Sequence, residues 1–178
     1  MRIAIDLLTQ YAHYHRDRRN IATHFVGIPM IIFAVGVLLA RPVFPVGGWA
    51  ITPAWVVGGL VTVWYLTRGR LDLGLAVSAA TLGLVALAHQ VSGGSTGEWL
   101  AWGLGTFILG WALQFIGHFY EGRKPAFVDD LVGLLVGPMF VMAEALFALG
   151  WGRDLRDEIE RHAGPTHVRD LKQPAGQH

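Results

Sequence analysis

Long apolar stretches dominate this chain and alternate with short polar or glycine-rich links. Four of them come close to the roughly 20 residues that a helix needs to cross the hydrocarbon core of a bilayer. They cover residues 24–40, 49–67, 71–91 and 99–120. The links between them are rich in turn-forming residues, mainly glycine, proline and serine. The pattern therefore predicts four transmembrane helices.

A fifth apolar stretch, residues 131–143, is short for a full crossing. Pro138 interrupts it, Asp129 and Asp130 precede it, and Glu144 follows it. Such a length suits a re-entrant or interfacial segment better than an ordinary span. We expect a Pro-broken re-entrant or fifth helix here, and an amphipathic helix at the N-terminus. The predicted fold class is an all-α, polytopic helical membrane protein.

The chain length favours one domain. With 178 residues there is room for one domain and hardly two. We assign residues 1–163 to a single membrane-embedded catalytic domain. Residues 164–178 contain two prolines and few apolar side chains, so we expect a disordered tail there.

Composition agrees with a membrane protein and excludes several chemistries. Only 15% of the residues are charged, against about 25% in an ordinary soluble domain. The formal net charge of +1 argues against nucleic-acid binding, which usually needs a basic face. The absence of cysteine excludes disulfides, thiolate metal ligands and cysteine nucleophiles.

The distribution of basic residues predicts the orientation in the membrane. Seven lysine and arginine residues flank the spans in the N-terminal segment and in the loops at 68–70 and 121–124, whereas the alternate loops hold only Arg41. The positive-inside rule then places the N-terminus and those loops in the cytoplasm. Abundant Gly, Ala, Arg and Trp suggest a bacterium with a GC-rich genome, and hence its inner membrane.

Three histidines share the predicted cytoplasmic depth. His15 and His24 lie just before or at the start of the first span, and His118 lies at the end of the fourth. Imidazole and carboxylate groups together suit iron, zinc or manganese. His15 and His24 are nine residues apart, so an unbroken helix would place them on opposite sides. If both bind one metal, the chain must bend between Arg16 and Asn20.

Other polar residues near this depth are candidates to complete or orient such a site. Glu121 lies three residues after the last histidine, on the same helix face, and is either a fourth ligand or a group that orients a ligand. Asn20 lies four residues before His24 and shares its face. Tyr14 and Glu144 are further candidates to orient the ligands. Each histidine taken alone is also compatible with an amphipathic anchor at the bilayer interface.

Two segments resemble the signatures of the 2-hydroxy-fatty-acid (2-hydroxypalmitate) dioxygenase family, of the yeast type. They consist of Tyr14-His15, Asn20 and HFVGIP at 24–29, then QFIGH at 114–118 with EGRKPA at 121–126. The resemblance extends over most of the chain. It departs from the family pattern at residues 16–19, where charged Arg-Asp-Arg-Arg replaces a polar residue.

This resemblance implies an Fe2+-dependent enzyme of fatty-acid α-oxidation. Such an enzyme uses O2 to shorten a 2-hydroxy fatty acid by one carbon, so the implied partners are that acid, O2 and membrane lipid. The family's required histidines map onto His15, His24 and His118 as metal ligands. With Glu121 they form the predicted catalytic set.

Two other functions are compatible with the sequence. A zinc-dependent membrane lipid hydrolase keeps the metal and changes the reaction, and metal identity separates the two because zinc has no redox chemistry. A non-enzymatic small transporter or scaffold is the third. A transporter should carry ionisable residues near mid-bilayer, and the four predicted spans have almost none.

Overall fold

The computed structural model of the protein describes residues 3–172, most of which are helical. The eight α-helices are α1 Ala4–Ala12, α2 Arg18–Ala40, α3 Pro53–Leu66, α4 Leu71–Ser92, α5 Thr96–Leu100, α6 Thr106–Glu121, α7 Gly133–Ala148 and α8 Arg153–Ala163. A π-helical turn, Ala101–Gly105, joins α5 to α6, and a 3-10 turn, Ala126–Val128, precedes α7. An antiparallel hairpin of β1 Phe44–Val46 and β2 Trp49–Ile51 links α2 to α3. The helical fold class is confirmed, with this hairpin as an addition.

Three helical rods are long and apolar enough to cross a membrane. They are α2, α4 and the continuous rod Thr96–Glu121, with mean hydropathies of 2.2, 1.9 and 1.4. The span predicted over residues 49–67 is shorter than expected, because residues 49–51 pair as a strand and α3 has only 14 residues. At about 1.5 Å per residue, α3 is about 21 Å long and does not reach across a core of about 30 Å. The predicted count of four spans is therefore not confirmed.

The fifth apolar stretch forms α7, which continues through Pro138 without ending there. The chain bends instead at Gly150 and Gly152, whose φ angles of 84° and 65° lie in the left-handed region that glycine adopts readily. Beyond this turn α8 runs at 117° to α7, so the pair is compatible with one broken span or a re-entrant segment.

Glycines bring α2 and α6 into close backbone contact. A Cβ atom on Gly27 would lie 2.8 Å from the carbonyl oxygen of Gly110, and a Cβ on Gly110 would lie 2.9 Å from the carbonyl oxygen of Gly27. Small residues allow this approach in membrane helices. The contact matters for the site because α2 carries His24 and α6 carries His118.

Both chain ends pack beside the start of α2. The amphipathic N-terminal helix is present as α1, which buries Leu7, Leu8 and Tyr11 in a core shared with α7 and α8. At the other end, His167 forms a parallel bridge with Asp17. Residues 164–172, predicted as part of a disordered tail, thus lie hydrogen-bonded against the turn that follows α1. Residues 173–178 lie outside the described residues, and disorder there stays a prediction.

Candidate metal centre

The three predicted histidines meet at one end of the bundle. His15 lies in the turn after α1, His24 near the start of α2 and His118 near the end of α6, with exposed fractions of 0%, 1% and 6%. One ring nitrogen of each lies within 4.8 Å of the others, and within residues 3–172 this trio is the one cluster suited to a metal ion. The helical backbone is interrupted at residues 13–17, so the bend overlaps the expected stretch between Arg16 and Asn20 only at residues 16–17. Helix α2 then begins at Arg18, and Asp17 caps it by accepting a hydrogen bond from the backbone N–H of Arg19.

Hydrogen bonds to backbone carbonyls settle the tautomers of two of these rings. Nδ1 of His15 donates to the carbonyl of Tyr11 at 2.8 Å, and Nδ1 of His24 donates to the carbonyl of Asn20 at 2.9 Å. Because a carbonyl only accepts, each ring carries its proton on Nδ1 and keeps a lone pair on Nε2. The two Nε2 atoms lie 3.1 Å apart.

Two facing lone pairs cannot satisfy each other by hydrogen bonding, but a cation between them satisfies both. Nitrogen ligands that bind one ion at about 2.0–2.1 Å lie about 3.0–3.4 Å apart. The observed separation of 3.1 Å fits that geometry. The donor set therefore suits a transition-metal ion.

His118 adds the third imidazole to this centre. Its ring centroid lies 4.8 Å from that of His15 and 5.2 Å from that of His24, at interplanar angles of 73° and 81°. Nδ1 of His118 is buried and makes no hydrogen bond of regular geometry within residues 3–172. The backbone of Arg123 is a polar group close to this ring. A nearly perpendicular trio of rings can direct three nitrogens towards one point.

Burial also sets the charge state of His15. Removal from water lowers the pKa of this imidazole well below its ordinary value, and the neighbouring His24 and His118 lower it further. The ring is consequently neutral at physiological pH, which is the form that binds metals.

Glu121 supports the turn that carries His15. Its carboxylate accepts hydrogen bonds from the backbone N–H groups of Arg16 at 3.0 Å and Asp17 at 2.8 Å. It also accepts one from Nδ2 of Asn20 at 2.9 Å. These donors occupy the carboxylate, and Glu121 is not part of the group of side chains that could hold a metal ion. Its hydrogen bonds hold the turn that carries His15 in position.

Asn20 and Tyr14 reach the centre through backbone groups. The carbonyl of Asn20 accepts a hydrogen bond from Nδ1 of His24, and the side-chain amide of Asn20 donates to the carbonyl of Tyr14 at 3.2 Å. The hydroxyl of Tyr14 donates to the exposed Asp129 at 2.8 Å. The structure thus links Asn20 directly to His24 and directs the Tyr14 side chain elsewhere.

Glu144 connects to the same turn through Arg16. One guanidinium nitrogen of Arg16 lies 3.5 Å from a carboxylate oxygen of Glu144. Nε of Arg16 donates to the carbonyl oxygens of Ala12 and His15 at 3.1 and 3.0 Å. The contact of Glu144 with the metal centre is therefore indirect.

Three residues that the sequence analysis did not assign to the site lie beside it. The Tyr11 ring stacks on that of His15, with centroids 3.9 Å apart and an interplanar angle of 3°. Gln114 and Trp111 occupy the face of α6 that also carries His118, four and seven residues earlier. Their helical spacing of four or seven residues from His15 or His118 is the sequence feature that could have predicted these positions.

A cavity of about 80 Å³ opens next to His24 and His118, with mainly apolar walls. Tyr11, Trp111 and Gln114 contribute its polar groups. The side-chain nitrogens Nε2 of Gln114 and Nε1 of Trp111 are buried without a hydrogen-bond partner in the part of the chain described. The lining of the cavity thus combines two histidines of the trio, residues with unpartnered N–H groups and an apolar wall.

The chain shows clear similarity to proteins of known activity. The family model described as "2-hydroxy-palmitic acid dioxygenase Mpo1-like" matches residues 2–149, which include all three histidines. The chain is 32% identical over 177 residues to 2-hydroxy-palmitic acid dioxygenase MPO1 of Saccharomyces cerevisiae, covering 95% of this chain and 92% of the yeast protein. No solved structure gives a significant match.

Proposed function

Because the chain belongs to the Mpo1-like family of 2-hydroxy-palmitic acid dioxygenases, we propose that it catalyses the same class of reaction. The proposed reaction is the Fe2+-dependent conversion of a 2-hydroxy fatty acid and O2 to the fatty acid one carbon shorter, with the former carboxyl carbon released as CO2 and one water formed. The observation that carries the proposal is the convergence of His15, His24 and His118 beside a cavity with apolar walls.

The three histidines would hold the metal, and the other residues would orient them. A bound Fe2+ would supply the redox chemistry with O2 that protein side chains lack. The carbonyls of Tyr11 and Asn20 keep the Nε2 lone pairs of His15 and His24 available. Glu121 holds the turn through its hydrogen bonds with the backbone of Arg16 and Asp17.

The cavity offers separate surroundings for the two ends of a 2-hydroxy fatty acid. Gln114 and Trp111 line the cavity and carry N–H donors that have no partner among the described residues, and such donors suit a carboxylate or hydroxyl because those groups accept hydrogen bonds. Ile28, Ile31 and Phe127 form apolar wall beside them, which excludes water and suits the carbon chain. Gln114 is therefore proposed as a residue that positions the head group.

The apolar helices support a membrane location. We propose that residues 1–163 form the catalytic domain and that the metal centre faces the cytoplasm, because most basic residues flank that end. The bacterial inner membrane predicted from composition receives no support from the comparison, since the matched relative is from yeast.

The first test is the metal content and O2 consumption of the purified, anaerobically Fe2+-loaded protein. We expect about one iron per chain in the wild type, and its loss in His15→Ala, His24→Ala and His118→Ala. His89→Ala is the matched control, because His89 contacts Thr52 and Trp55 and lies outside the trio. This control should keep both iron and activity.

Two results would contradict the proposal. Bound zinc at one ion per chain, without O2 consumption, would favour the lipid hydrolase instead. Wild-type protein that binds iron but consumes no O2 with any 2-hydroxy fatty acid would exclude the dioxygenase reaction.

A further inference from the structure

A second cavity lies beside the histidine-lined cavity, between the helices of the bundle. It has a volume of about 380 Å³ and lies between α2, α3, α4, α6 and α7. The two cavities share five lining residues, Ile31, Ile32, Trp111, Leu134 and Pro138. Its walls carry no Asp, Glu, Lys or Arg side chain among the lining residues. The shared walls therefore place this apolar space directly beside the cavity that His24 and His118 line.

The direction of this second cavity follows from the helices that line it. It reaches Leu39, which is fifteen residues beyond His24 on α2 and so about 22 Å away at about 1.5 Å per residue. Helix α3 runs in the opposite sense. Ala54, near its start, packs with Ala40 at the far end, whereas Tyr65 belongs to the core that contains Tyr11.

We infer that this second cavity holds the acyl chain of the substrate, and that the side chains of α3 facing it set the longest chain accepted. The inference rests on the proposed function. Membrane lipid is already apolar, so transfer of a chain from the bilayer into the cavity brings little hydrophobic gain. Selection by length must then come from steric fit against the walls and the far end, where overpacking is unfavourable.

Val57 and Val61 are the residues that test this inference. Both line the second cavity from α3, and Val61 is one helical turn closer to the metal centre. We expect Val57→Phe to reduce kcat/KM for the longest 2-hydroxy fatty acids at least about tenfold, because the larger ring fills the space that the chain end needs. Shorter acids should keep wild-type rates. Val61→Phe should impose a shorter length limit than Val57→Phe.

The matched control is Val56→Phe. Val56 is the neighbour of Val57 on α3, has a similar exposed fraction (50% against 42%), and lines neither cavity. This variant should retain the wild-type length profile. O2 consumption of all four iron-loaded proteins is measured with saturated 2-hydroxy acids of graded length. An unchanged profile, or an equal loss at every length, in both cavity variants would overturn the inference.

A second readout does not depend on iron. A saturated 2-hydroxy fatty acid with a diazirine on its terminal carbon is photolysed with the full chain, and the labelled residues are identified by mass spectrometry. We expect labels near Ala54, Val57 and Val85, which line the far end. Labels confined to lipid-facing residues such as Ile108 would contradict the inference.

The two proposals fail in different ways. A wild-type protein that consumes no O2 but is labelled at the far end would contradict only the dioxygenase function. An active wild type whose length profile is the same in every variant would contradict only the acyl-chain cavity.

Discussion

Backbone carbonyls, rather than side chains, orient two of the three candidate ligands. His15 and His24 donate to the carbonyls of Tyr11 and Asn20, each four residues earlier in the chain. Side-chain substitutions at those two positions would leave these acceptors in place. Glu121 differs, because its own carboxylate holds the turn through the backbone of Arg16 and Asp17. Orienting groups of this kind usually change metal affinity 10–100-fold.

Gln114→Leu tests the proposed head-group contact. The amide nitrogen has no hydrogen-bond partner among the described residues, so its removal should leave Tm and iron content unchanged or raise Tm slightly. Loss of a hydrogen bond to a charged group, at about 1.5–3 kcal/mol, should raise KM about tenfold or more. Steady-state kinetics, Tm and iron content are measured together. Gln90→Leu, at an exposed position on α4, is the control. An unchanged KM in Gln114→Leu would remove this role.

At the level of whole elements, the contact between α2 and α6 determines whether the histidines meet. The two helices carry His24 and His118, and glycines at their crossing allow the backbones to touch. The short α3 and its preceding hairpin contribute the far wall of the second cavity instead. The distance between α2 and α6 therefore affects the metal centre most directly.

Gly110→Ala should separate these helices. The added Cβ would lie 2.9 Å from the carbonyl oxygen of Gly27 and 2.8 Å from a side-chain carbon of Ile31, so the helices must move apart. Overpacking of this kind costs about 1–3 kcal/mol. We expect a lower Tm in detergent and weaker iron binding, measured by competition with a chelator.

The control for this prediction is Gly105→Ala in the same rod. A Cβ at Gly105 would meet no described atom within 4 Å, so Tm and iron affinity should stay at wild-type values. Equal effects of the two substitutions would show that helix contact is not the cause.

On the scale of the whole molecule, the C-terminal segment packs against the turn that carries His15. The backbone N–H of Arg18 donates to the carbonyl of His167, and that of His167 donates to the carbonyl of Arg16, both at 2.9 Å. The backbone N–H of Arg169 donates to the carboxylate of Asp17 at 2.8 Å. These contacts hold the turn that carries His15, in addition to the hydrogen bonds of Glu121.

Deletion of residues 165–178 should loosen that turn. We expect a lower Tm and iron affinity reduced about tenfold or more, because the orienting contacts of one ligand are lost. Thermal unfolding and chelator competition measure both effects. Deletion of residues 173–178 alone keeps the bridge between Asp17 and His167 and should behave as the wild type. If the longer deletion also behaves as the wild type, the segment does not support the site.

Much of the fold and the site follows from the sequence itself. Apolar length and flanking charge depend on position along the chain, so they indicate which residues share a depth in the membrane. That was sufficient to bring His15, His24 and His118 together and to require a bend between the first two. The two signature segments also indicated the family that the comparisons then established.

The tertiary structure decided what depends on how elements turn and pair. Stacking of Tyr11 on His15, the placement of Gln114 in the cavity and the four hydrogen bonds of Glu121 depend on the rotation of helices about their axes. The pairing of β1 with β2 shortened α3, and contacts about 150 positions apart in sequence ordered residues 164–172. The sequence by itself determined that the three histidines lie at one end of the bundle, because apolar length and flanking charge are read along one chain. The arrangement of side chains around the three histidines came only from the structure, because packing joins segments that are distant in sequence.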